Sequence, residues 1–106
     1  MPKYLWKVSY TKAGVRGIAA EGGSSRRDAV RRAVESLGGQ LEAVYFAFGD
    51  ADVYVIADLP DNQSAAALSL AANGSDGLTI QTVVLTTPED FEAASKKEVS
   101  FRPPGK

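Results

Sequence analysis

The 106 residues contain no cysteine and no histidine. Without cysteine there are no disulfides, iron–sulfur clusters or thiolate zinc sites. Without histidine there is no Ser-His-Asp or Cys-His nucleophilic pair, no His-ligated metal and no proximal-His haem. Long apolar runs are missing too. No stretch approaches the ~18 residues of a membrane span, so no membrane partner is expected. The first twelve residues alternate in character and carry Lys3, Lys7 and Lys12 instead of a signal peptide's apolar run, so the expected location is the cytoplasm. A net charge of −1 gives no bulk attraction to nucleic acid.

Apolar residues make up 44% of the chain, enough for a core. One domain spanning residues 1–106 is expected, since two would have about 50 residues each, too few for separate cores. Charge is unevenly spread. Residues 1–40 carry eight basic and three acidic groups, residues 41–92 nine acidic and no basic ones, and residues 93–106 four basic and one acidic. Such segments either compensate on folding, attract an anion to one face, or pair two copies through opposite patches.

Tyr4 to Tyr10 alternates, with Tyr4, Trp6, Val8 and Tyr10 on one face, and reads as a strand. Thr11 caps a short helical turn carrying Val15, Ile18 and Ala19, weakened by Gly14 and Gly17 and broken at Gly22-Gly23. Ser25 to Leu37 is the clearest helix. Its apolar stripe is Ala29, Val30, Ala33, Val34 and Leu37, Ser25 and Asp28 form a capping-box pair, and Gly38-Gly39 ends it. Leu41 to Phe48 and Asp52 to Leu59 read as strands joined by a turn at Gly49-Asp50-Ala51. Asn62 to Asn73 is an alanine-rich helix with no charge, expected to be covered on more than one side. Leu78 to Thr86 is a fourth strand. Thr87 and Pro88 open a last helix, and the prolines of residues 100–106 extend the tail.

The order β-α-β-β-α-β is the ferredoxin-like arrangement, an α+β fold with a four-stranded antiparallel sheet, here with an extra C-terminal helix. Right-handed crossovers place both helices on one face. The other face is expected to expose an apolar patch containing Val44, Phe46 and Phe48, and a second copy is expected to cover it. The partner expected is therefore another copy of the chain, in at least a dimer.

Gly22-Gly23-Ser24-Ser25-Arg26-Arg27, Ser36-Leu37-Gly38-Gly39, Tyr45-Phe46-Ala47-Phe48-Gly49-Asp50, Asp58-Leu59-Pro60-Asp61 and the Arg102-Pro103-Pro104-Gly105 tail together resemble the GYD domain family. The resemblance covers nearly the whole chain and implies a ferredoxin-like fold of the dimeric α/β-barrel type. At the tyrosine of the family's Gly-x-Tyr-Asp pattern this chain has Ala51.

The main candidate ligand site is the helix start at Ser24, Ser25, Arg26 and Arg27. Free N–H groups and the positive end of the dipole favour an anion there. Cations at that end oppose helix stability, and Arg26 falls on the apolar stripe, facing the sheet. The plain alternative is pairing of Arg26 or Arg27 with Asp50 or Asp52. Those two carboxylates, with Tyr54, complete the candidate ligand-binding set. Alone, Asp50 and Asp52 are a weak oxygen site for Mg²⁺ or Ca²⁺, and neither metal nor cofactor is expected. The aromatic residues Tyr4, Trp6, Tyr10, Tyr45, Phe46, Phe48 and Tyr54 are mostly core or dimer contacts. Tyr10 and Tyr54 are the ones expected to present a hydroxyl inside. The arginines of the helix make a solvated face and not a nucleic-acid surface.

Three functions fit. The first is an oligomer that binds a small anionic or aromatic molecule near Arg26 and the hairpin. The second is a cofactor-independent oxygenase or isomerase, which the barrel resemblance allows, with Asp52 as base, Arg26 stabilising an enolate and Tyr10 orienting it. The third is a self-assembling subunit with no ligand.

Overall fold

The computed structural model describes residues 1–106. The elements are β1 (Lys3–Tyr10), α1 (Lys12–Glu21), α2 (Gly23–Ser36), β2 (Gln40–Phe46), β3 (Val53–Asp58), α3 (Asn62–Asn73), β4 (Leu78–Leu85) and α4 (Pro88–Ser95). The four strands form one sheet in the order β2-β3-β1-β4 with every neighbouring pair antiparallel, which is the ferredoxin-like topology.

The alternation of β1 decides which side is core. Tyr4, Trp6 and Val8 are buried and register against Ala57, Val55 and Val53 of β3. Val34 of α2 and Ala65 of α3 close the same cluster, so both crossover helices lie on that face. Val44 and Phe46 pair with Val55 and Val53 and therefore also face the helices. This corrects the expected exposed patch. The uncovered face instead carries Leu5, Tyr45, Tyr54, Ile56, Val83 and Leu85, flanked by Lys3, which forms ion pairs with Glu42 and Asp58. Phe48 lies outside the sheet altogether. The β2–β3 turn is longer than expected because Ala47 N–H donates to Asp52 O, closing the hairpin before Phe48.

Two helix starts differ from expectation. Thr11 does cap α1, accepting from Gly14 N–H at 3.2 Å, but the helix runs ten residues and meets α2 across the single residue Gly22. Gly22 has φ of 89°, a conformation that suits only glycine, and lets one helix end where the next begins. The Ser25–Asp28 capping box does not form. α2 starts at Gly23 with no side-chain cap, Ser25 is inside its first turn, and Asp28 pairs with Arg31 at 3.1 Å. Arg26 and Arg27 are accordingly the fourth and fifth helical residues, not the first two.

Gly14 is in α1 because of a close approach: a Cβ there would meet Gly77 O at 1.9 Å. Asp61 caps α3 through Ser64 N–H at 2.8 Å. Contrary to expectation, α3 is covered on one side only, since Ala66, Ala67, Leu70 and Ala71 are exposed. Its last residue, Asn73, accepts from Ile80 N–H at 2.7 Å, which fixes α3 against β4. No helix is long and apolar enough to cross a membrane.

Candidate functional site

Between the sheet and the two crossover helices lies a cavity of about 90 Å³. β1 supplies Trp6, Val8 and Tyr10 to its floor, β3 Val53 and Val55, and β4 Leu78 and Ile80. From above, α2 contributes Val30, Ala33 and Val34, and α3 Leu68 and Ala72. Every lining residue is apolar or aromatic except Arg26. A basic side chain reaches an apolar space here because Arg26 lies one turn before Val30 on the helix stripe that faces the sheet.

Two of the lining residues carry an N–H donor with no acceptor. The Trp6 Nε1 and Arg26 Nε atoms are both buried and make no hydrogen bond. Buried donors are nearly always satisfied, and leaving one bare costs about 1–3 kcal/mol. The rest of the Arg26 side chain is about a third exposed, and its Nη1 is 3.9 Å from Glu21 Oε1, a loose ion pair. The guanidinium thus spans from the cavity to its mouth.

That mouth opens on a second hollow, a groove under α1 lined by Gly14, Gly17, Ile18 and Glu21. It shares Tyr10, Arg26 and Leu78 with the cavity. Tyr10 is half-buried there. Burial pushes its phenol above the ordinary value of about 10, with Arg26 pulling it down and the Asp52 and Glu21 carboxylates pushing it up. The phenol is therefore a hydrogen-bond donor at neutral pH. The folded state favours its protonated form, so this contribution to stability is complete below the unfolded value and is lost as pH rises through the higher folded one. In an alkaline titration followed by tyrosinate absorbance, Tyr10→Phe is expected to remove an ionisation that falls above that of a free tyrosine. If the variant instead removed an ionisation at the free value, Tyr10 would be solvated.

The sequence-selected residues divide by location. Arg26, Tyr10 and Asp52 come together at the end of β1. Asp52 Oδ2 accepts from Tyr10 N–H at 2.8 Å, and Asp52 N–H donates to Val8 O at 2.8 Å, so Asp52 prolongs the β1–β3 pairing beyond the strand. It is exposed. Ser24, Ser25 and Arg27 are exposed on the first two turns of α2, outside the cavity. Neither Arg26 nor Arg27 pairs with Asp50 or Asp52; the acid beside Arg26 is Glu21. Asp50 borders a separate polar hollow with Lys7, Ser9 and Gln81. Tyr54 sits opposite Lys7 and Tyr45 on the uncovered face, so the sheet separates it from Arg26. Nowhere do three metal-ligating acids gather.

Sequence reasoning missed Glu21. The signal was present: it is the only acid before Asp28, and it directly precedes the Gly22 junction.

The family itself is settled. Residues 4–94 match the GYD domain, and the chain belongs to that family. No curated protein and no solved structure matches it. At the pattern's tyrosine position, Ala51 is buried beside the end of β1.

Proposed function

We propose that this protein is a binding module for a small carboxylate or enolate with a compact apolar body. The body occupies the cavity and the anionic oxygens meet Arg26 at its mouth. The observation that carries this reading is the pair of buried, unpartnered donors, Trp6 Nε1 and Arg26 Nε, on two residues that line an otherwise apolar and aromatic cavity. A ligand acceptor that reaches either donor would relieve it, whereas a wholly apolar ligand would leave both bare. The size follows from volume. About 90 Å³ is less than the ~150 Å³ that accommodates benzene, so an aryl body needs Tyr10 or Arg26 to swing and join the cavity to the α1 groove.

The enzyme reading has less support. Arg26 and Tyr10 are placed to hold an enolate, but Asp52 lies in solvent and is engaged by the Tyr10 backbone. Self-association through the uncovered sheet face belongs to the proposal. Leu5, Ile56 and Val83 there form a patch of the kind monomers seldom leave to water.

The test is thermal shift with benzoate and isovalerate against benzamide and phosphate. One of the two apolar carboxylates is expected to raise the melting temperature of the native chain, and Arg26→Ala to abolish the rise. If neither carboxylate shifts melting, or the shift survives in Arg26→Ala, the reading is wrong.

A further inference from the structure

The C-terminal arm is detached from the body. All residues from Thr86 to Lys106 are exposed, and no hydrogen bond or ion pair joins them to residues 1–85. The molecule is 55 Å long against 33 and 23 Å across, and its radius of gyration is 16.7 Å, where about 13 Å is usual for a compact domain of this length. Yet the arm is not built like a solvated tail. α4 is well formed, with Thr87 accepting from Asp90 N–H at 3.0 Å and Pro88 in its first turn. Phe91, Val99 and Phe101 are 71%, 77% and 73% exposed.

We infer that this arm docks on a second copy of the chain, along the edge formed by β2 and the turn after it, with Phe91 and Phe101 as anchors. Three observations choose that occupant and that place. The β2 edge exposes the aromatic residues Tyr45, Phe46 and Phe48. Charge is complementary beyond α4: residues 96–106 carry Lys96, Lys97, Arg102 and Lys106 against the single acid Glu98, while Asp50 and Asp52, neither in an ion pair, border the edge. The area also suffices. Arm exchange about a two-fold axis buries four phenylalanines at roughly 150–250 Å² each, and their counter-surfaces as much again, reaching the ~1,200–2,000 Å² of a stable interface. A bare edge strand is in addition a hazard that proteins usually cover. The ring of Phe46 borders the start of α2 at Gly23, so the docked arm lies close to Arg26.

The absence of native cysteine makes the test clean. Phe48→Cys and Phe101→Cys chains, each full length, are mixed under mild oxidation, with exposed Ala20→Cys replacing Phe48→Cys as control. The 48–101 disulfide between chains is expected to exceed the 20–101 product at least tenfold. In sedimentation, Phe91→Ser/Phe101→Ser is expected to weaken self-association at least tenfold without lowering the melting temperature of the dilute protein. Equal yields of the two products, or self-association unchanged in the double serine variant, overturn the inference. So does a Phe48→Cys/Phe101→Cys chain that closes on itself when dilute. None of these readouts depends on a ligand in the cavity, and the choice between the 48–101 and 20–101 disulfides reads the arm whatever the sheet faces do.

Discussion

Replacing Arg26 with methionine is expected to raise the melting temperature of the ligand-free protein and, in the same variant, to remove its response to benzoate and isovalerate. The two effects share a cause. Arg26 breaks local rules twice, as a cation near a helix N-terminus and as a buried N–H without an acceptor. Methionine keeps the length and apolar stem while removing both faults. What it gives up is the loose contact with Glu21, worth little at 3.9 Å with both groups partly exposed. A net gain of about 1 kcal/mol, roughly 4–8 °C for a domain of this size, is the expected size of the effect. A residue that costs stability and is nonetheless present marks a place where function is sought. Scanning calorimetry with and without carboxylate reads both halves. Lower melting together with a retained ligand shift would make Arg26 a structural residue only.

A large loss of stability is expected from Gly39→Ala. The chain passes from α2 into β2 so close to the end of β3 that a Cβ on Gly39 would stand 2.3 Å from Asp58 O and 2.6 Å from Leu59 Cδ2. The first contact is with backbone, which cannot rotate away. The second is with a side chain that is itself fully buried. Overpacking of this kind costs about 1–3 kcal/mol, roughly 5–20 °C here. Gly17→Ala is the control. Gly17 is inside α1 and nothing lies within 4 Å of its added Cβ, so alanine there is expected to stabilise by about 0.4–1 kcal/mol. Thermal melts of both variants check the pair. Equal effects would mean that proximity to β3 does not govern Gly39.

These glycines also mark where the sequence ceased to be legible. Period and end signals located most elements well. Tyr4–Tyr10 alternates and forms β1, α3 begins behind Asp61 and ends at Asn73, and α4 follows Thr87-Pro88. Helical angle alone put Arg26 toward the sheet, and it lines the cavity. Local pattern carries no information on how near another backbone lies, however. Gly14 therefore read as a weak helix residue when it is a contact with Gly77, and Gly22-Gly23 read as a break when one residue suffices to join two helices. Hydroxyl chemistry grouped Tyr54 with Tyr10, although alternation along β3 already placed it with Ile56, across the sheet from Val53 and Val55. There the period was the better guide. An apolar run extends β2 through Phe48 because it does not show where a hairpin closes, which here is set by Ala47 N–H and Asp52 O.

Trp6 is the only tryptophan, so its indole N–H gives a single resolved signal in a nitrogen–proton correlation spectrum. On titration with isovalerate or benzoate, that signal is expected to move downfield in saturable fashion as the bare Nε1–H gains an acceptor, together with the Arg26 Nε–H signal. An indole signal that stays still at saturating carboxylate, while only amides of the exposed first turns of α2 respond, would place any binding outside the cavity and contradict the account.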